Sequence, residues 1–368
     1  MPGSAEASSV LFLATHRVDN ATAERLLHHA RDLARLPPAS RVRPWVLLFA
    51  EPGADTGHLL PLLDVDVFRW SLDELFELFP RLADTWRASR GVRLTEEVYL
   101  KHYYLFHAGL ALWWKHHGHA YPRLQHMWRI EPDVHLSGGG GWASLLMQSS
   151  RHRADVLLPM VTTEADTDEH YVHWENNRGW VKSVAPERRV WSLVCVGRFS
   201  LHFLLSIMWP QWSEGRLVYE EIFLPTSCHA HQNCTLADNF GGLADAQRIR
   251  FRPIWSCEEL RLHLRESTSW PTFWHPVKDQ SCIAKMLQRE ERATGWATSV
   301  MQRPIEPDAW HADAIDRDGR KRFSFTVPLP KRLRLFGGHT VTTTRPTPPS
   351  RRGVKAPTVQ RRAQRPHS

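Results

Sequence analysis

Short, almost wholly apolar runs alternate with amphipathic stretches through residues 9–160, and this alternation restricts the fold more than any other feature. Val10–Ala14 is the first run, and Ala21–Leu36 follows with Leu26, Ala30 and Leu33 at helical spacing until Pro37-Pro38. Val42–Ala50 reads as a second strand closed by Glu51-Pro52-Gly53, and Asp66–Trp70 as a short third. Ser71 with Glu74 forms a capping-box pattern for a helix over Leu72–Phe79. Tyr99–His116 reads as a long aromatic helix, and Met127–Ile130 and Ala154–Met160 as further strands. This βαβα order predicts an α/β fold with a mostly parallel sheet and helices on both faces.

One strand of this series carries chemistry at its end. Trp128-Arg129-Ile130 is followed by Glu131-Pro132-Asp133, two carboxylates on one side of an extended chain, then by Gly138–Gly141 and a helix opening at Trp142. Open α/β sheets bind ligands outside the C-terminal ends of their strands. Carboxylates there can hold a divalent cation by oxygen ligation, and the cation can neutralise a diphosphate. The alternative is a strand-ending turn with solvated acids. The glycine run comes after the acids, so it does not fit a dinucleotide fingerprint; it reads as a turn letting backbone approach a ligand, or as a plain loop.

The second half is more irregular. Val190–Val196 reads as a strand, Phe199–Trp209 as a helix entered through Arg198, and Val218–Leu224 as a segment leading into Pro225-Thr226. Arg250–Trp255 fits an edge strand, Phe273–Lys278 an extended segment set by Pro276, and Ser281–Arg292 a final helix. Glu220 and Glu221 offer a carboxylate for general-base work, with a surface pair as the alternative. Lys278 suits a phosphate as a point charge, with a solvated lysine as the alternative.

Charge and motif content exclude several classes. The net charge is +8, but Pro330–Ser368 holds ten Lys or Arg and no acid, so the body without it carries −2. The body is therefore not a basic nucleic-acid surface, while the Pro- and Arg-rich tail suits disorder and contact with acidic surfaces. The chain has no Gly-x4-Gly-Lys-Ser/Thr loop and no Gly-x-Ser-x-Gly elbow. Cys228-His229-Ala230-His231-x2-Cys234 is spaced too tightly for common structural zinc sites, so a disulfide or free thiols are expected there. The 17 tryptophans suit either sugar-face packing or ordinary core packing. The apolar stretches are strand-length, which leaves a cytoplasmic location or a lumenal one whose anchor lies outside this chain.

Taken in order, Val10-Leu11-Phe12-Leu13-Ala14-Thr15-His16, Trp128–Val134 with a following Ser137-Gly138 and Trp142, Arg198-Phe199-Ser200, Tyr219–Thr226 and His275-Pro276-Val277-Lys278 resemble a loosely characterised group of glycosyltransferases of the GT-A fold. The resemblance spans roughly residues 9–290. It implies a Rossmann-type domain over residues 9–300, preceded by a disordered segment 1–8 and followed by a peripheral segment 301–336 and a disordered tail 337–368. It further implies a nucleotide-sugar donor, a glycan, protein or lipid acceptor, and an Asp-x-Asp-type site at Glu131-Pro132-Asp133 binding Mn²⁺ or Mg²⁺. The first acid is Glu where that pattern has Asp, which leaves a metal-independent scheme open. A more distant likeness to core-2 type N-acetylglucosaminyltransferases, which work without metal, implies Glu221 as base, with Glu220 its neighbour as alternative. It also implies Lys278 as a diphosphate ligand. Arg198 and His275 join the expected donor site, and the compartment is a Golgi or ER lumen if an N-terminal anchor lies outside this chain and the cytoplasm otherwise. Two further readings stay open: an inactive GT-A-like binding protein, and a nucleic-acid-associated protein acting through the tail.

Overall fold

A computed structural model of the protein describes residues 8–16, 18–36, 44–49, 65–89, 104–138, 140–167, 178–250, 253–266 and 270–278. The chain divides between Val327 and Pro328, and every described residue belongs to the first unit. The expectations for residues 1–7, the helix Ser281–Arg292, the segment 301–336 and the tail 337–368 lie outside the described residues.

In chain order the strands are β1 (Ser9–Thr15), β2 (Trp45–Phe49), β3 (Asp66–Trp70), β4 (His126–Ile130), β5 (His135–Ser137), β6 (Val156–Leu157), β7 (Thr162–Thr163), β8 (Val190–Trp191), β9 (Val196–Ser200), β10 (Leu236–Ala237) and β11 (Thr272–Trp274). Seven of them form one sheet in the order β3-β2-β1-β4-β9-β6-β10. β1 pairs in parallel with both β2 and β4, β2 with β3, and β10 with β6. Only β9 is reversed, running antiparallel to β4 and β6. The expected α/β class and mostly parallel sheet are therefore present.

Burial follows position in the sheet. β1, β2 and β4 are buried along their whole length, because both faces of a parallel sheet are covered and no solvated face remains. The outer strand β3 alternates and exposes Arg69. Ser71 and Glu74 form the expected capping box, and the helix they open spans Leu72–Leu78. Six tryptophans, Trp70, Trp113, Trp128, Trp142, Trp212 and Trp274, are fully buried, so packing explains these and sugar recognition does not. Among the described residues, no helix is long and apolar enough to cross a membrane.

Three expectations for the second half are corrected. The Val190–Val196 run splits into β8 and β9 around a turn, so Arg198 is inside a strand and the helical stretch begins only at Leu201. Glu220–Ala230 is a helix and not an extended segment. Pro225 lies within it and has no N–H to give the carbonyl of Glu221 four residues back; that carbonyl accepts the Ser192 N–H at 2.9 Å instead. Among the described residues no strand covers Arg250–Trp255; Asp245 and Ile249 bridge to Thr272 and His275 beside β11.

Candidate functional site

The sheet order reverses direction of growth between β1 and β4, which are neighbours although β2 and β3 intervene in sequence. The crevice at such a switch point, outside the C-terminal strand ends, is where doubly wound sheets take their ligands. Glu131 is the first residue beyond β4. Its N–H donates to the Cys195 carbonyl at 2.8 Å, and a turn follows in which Val134 N–H donates back to the Glu131 carbonyl at 3.1 Å. The turn, not an extended strand, brings Asp133 round to the side of Glu131.

The third member arrives from far along the chain. β11 pairs antiparallel with β5, placing Trp274 opposite His135 and so carrying His275 back to the acids. The segment is fixed on both sides: Val277 N–H donates to the Asp133 carbonyl at 2.9 Å, and Arg25 Nη2 donates to the Val277 carbonyl at 2.9 Å. His275 Nε2 then lies 3.4 Å from Asp133 Oδ1 and 3.9 Å from Glu131 Oε2. Lys278 Nζ is 3.8 Å from Asp133 Oδ2 and its side chain is 60% exposed, so it is free to turn toward a ligand. The structure thus brings together Glu131, Asp133, His275 and Lys278, all four of which the sequence had nominated.

Glu131, Asp133 and His275 each offer one ligand atom, and the three atoms lie within 4.8 Å of one another. The donor set fits a divalent cation on a second ground. His275 Nδ1 lies 3.1 Å from the Arg250 carbonyl, a contact that requires the proton on Nδ1. In the neutral ring this leaves the Nε2 lone pair facing the two carboxylates, the arrangement metal-binding histidines adopt.

Charge in the site is unevenly spread. Burial pushes Glu131 up to about 7, helped by Asp133 and Glu220 and opposed by Arg129 and His275. Burial also acts to raise Asp133, but His275, Lys278 and Arg25 outweigh it and hold the carboxyl down to about 2. Burial acts to lower His275, and the Asp133 carboxylate 3.4 Å from its Nε2 outweighs it, so its pKa is raised above the ordinary value. Cys195 is itself buried and free, with burial keeping it a thiol. The acids are thus already answered by cationic side chains, and a metal would have to take the place of a proton on His275.

Behind the acids lies a buried ion pair that sequence reasoning did not find. Arg129, two residues before Glu131 on β4, donates to both oxygens of Glu220 at 2.8 and 3.1 Å and reaches Glu131 Oε1 at 3.5 Å. His107 Nδ1 lies 3.5 Å from Glu220 Oε2 on the other side. The available signal was the strand period: Arg129 and Glu131 are two apart, so a cation was due beside the first acid. Glu220, expected as an alternative base, is committed to this pair at 1% exposure, so that expectation is corrected. Glu221 is the next residue in the first helical turn and is 9% exposed.

Arg198 is also corrected. It is fully buried, and its guanidinium donates to the carbonyls of Ser149, His152 and Ala154, where the helix Gly141–Ser149 ends. It satisfies carbonyls that a helix end leaves open, so its guanidinium is committed to the scaffold. The glycine run likewise meets a protein group. Gly141 has φ +63°, and a Cβ there would lie 1.8 Å from Asp32 Oδ2. That oxygen accepts the Trp142 N–H at 2.7 Å, so Asp32 occupies the helix N-terminus where close approach of backbone to a ligand was one expectation. Cys228 and Cys234 form a disulfide, which removes the thiolates a zinc site there would need.

Compared with known proteins, the chain matches no family model and no curated protein.

Proposed function

We propose that the protein is a glycosyltransferase that moves a sugar from a nucleotide-diphosphate donor to an acceptor hydroxyl. The observation that carries this reading is the convergence of Glu131, Asp133 and His275 at the β1/β4 switch point. Nucleotides bind at that place in doubly wound sheets, and a diphosphate there needs positive charge beside it. In this reading Glu131, Asp133 and His275 hold Mn²⁺ or Mg²⁺, which when bound supplies Lewis-acid stabilisation of the departing nucleoside diphosphate. Lys278, largely exposed beside Asp133, adds charge on the same phosphate. Glu221 removes the proton from the acceptor hydroxyl as it attacks, with inversion at the anomeric carbon. The Cys228–Cys234 bridge supports an oxidising compartment such as the Golgi or ER lumen.

One observation favours a second reading, metal-independent transfer. His275 and Lys278 both pair with Asp133, so two cationic side chains already stand where a metal would. The two readings part in one experiment, a thermal-shift screen of nucleotide sugars with and without Mn²⁺. Stabilisation by a nucleotide sugar only with Mn²⁺ supports the metal scheme. Equal stabilisation without metal supports the second, and none from any nucleotide sugar overturns both.

A further inference from the structure

We infer that Glu220 is a positioning residue whose task is to hold the charge of Arg129 away from Glu131, so that Glu131 stays available to a cation. The inference rests on the reading of Glu131, Asp133 and His275 as a metal site.

Arg129 is 2% exposed and lies over the Phe106 ring at 5.8 Å, so water cannot solvate its charge. A buried guanidinium must find a carboxylate. Among the described residues, Glu220 and Glu131 are the two that it reaches. Nη2 is shared between them, at 3.1 Å from Glu220 Oε1 and 3.5 Å from Glu131 Oε1. With Nη1 also on Glu220 at 2.8 Å, the pairing is bidentate and leans toward Glu220. Glu220 is held in turn, in the first turn of its helix with His107 at its back. Glu131 therefore gives Arg129 only a long contact through Oε1 and turns Oε2 toward His275. Remove the charge of Glu220, and Glu131 becomes the one carboxylate left within reach of Arg129 among the described residues. Arg129 then competes with the cation for it.

The test is Mn²⁺ binding, read as loss of the free-ion electron paramagnetic resonance signal, on the full chain, Glu220→Gln, and Glu220→Gln with Arg129→Met. Groups that orient metal ligands from behind are worth about 10- to 100-fold in affinity, so Glu220→Gln should bind more weakly by about that factor. The double variant should return to within about threefold of the parent while its thermal stability stays below the parent's, a recovery that a purely structural role would not give. Parent-like binding by Glu220→Gln overturns the inference, as does a double variant as weak as the single one. Removing both members of a buried pair is better tolerated than removing one. Should Glu220→Gln not fold, the double variant decides alone: its loss of Mn²⁺ binding overturns the inference. A parent that binds no Mn²⁺ overturns the metal reading itself, and this inference with it.

Discussion

Adjacent carboxylates meet different surroundings here. Glu220 is buried against Arg129, while Glu221, one residue on, is the carboxylate that the proposed function gives the acceptor. Breaking one half of a buried pair costs about 3–5 kcal/mol, so Glu220→Ala should lower urea-unfolding stability by an amount in that range. Glu221→Gln should instead lower sugar transfer by about 10²- to 10⁴-fold, the usual worth of a general base, and leave the donor-induced thermal shift in place. Full transfer activity in Glu221→Gln places the base elsewhere. Asp133→Asn keeps the shape of the side chain and removes the charge a hard cation requires. It should abolish the Mn²⁺-dependent part of the donor shift, and an unchanged shift would remove Asp133 from the metal site. The acids of this site were legible in the sequence because they end a strand. Cys195 and Arg25 were not, since only the fold brings the residue before β9 and the first helix against that strand end.

At the level of elements, the helix Gly141–Ser149 shows how residues that resemble ligand-binding features can serve the scaffold. Asp32 accepts its Trp142 N–H, and Arg198 meets the carbonyls at its end. Arg198→Met should leave buried carbonyls without donors, at about 1–3 kcal/mol each, while the donor-induced shift persists. Loss of donor binding with unchanged stability would return Arg198 to the site. Gly141→Ala combines a left-handed backbone costing about 1–2 kcal/mol with a collision against Asp32, so chemical denaturation should show a clear loss of stability. The glycine run told the sequence reader that backbone approaches something closely. It did not say that the partner lies 110 residues upstream in another helix. The helix Glu220–Ala230 was hidden for a different reason. Pro225 argues locally against a helix, and only the Ser192 N–H, which takes up the carbonyl Pro225 leaves free, makes the helix tolerable. The strands of the first half, by contrast, announced themselves, because a parallel strand buried on both faces is an unbroken apolar run.

Over the whole molecule, the alternation in residues 9–160 was enough for the class of sheet, while the reversed β9 was not legible, since a five-residue run carries no sign of direction. The packed sheet also sets how the protein meets acid. Burial holds His28 down to about 4, with Arg35 and Arg31 adding to the effect. Burial likewise holds His126 down to about 4, reinforced by Arg198 and His152 and opposed by Asp155. Both rings are neutral in the folded protein at neutral pH. An unfolded chain returns them to about 6.5, so between about 6.5 and 4 the unfolded state binds more protons than the folded one. Stability should therefore fall as pH drops through that window, by up to about 1.4 kcal/mol per pH unit for each ring, and the contribution should level off below about 4. Urea titrations at pH 7.5, 6 and 5 measure the slope. His126→Asn removes one titrating ring whose Nδ1 has no hydrogen-bond partner, and should make the slope shallower whatever it does to stability at pH 7.5. An unaltered slope would mean that His126 is already protonated in the folded state, or that it keeps the same affinity for a proton when unfolded. Either outcome would contradict the burial that the sheet imposes on its position opposite Ser200.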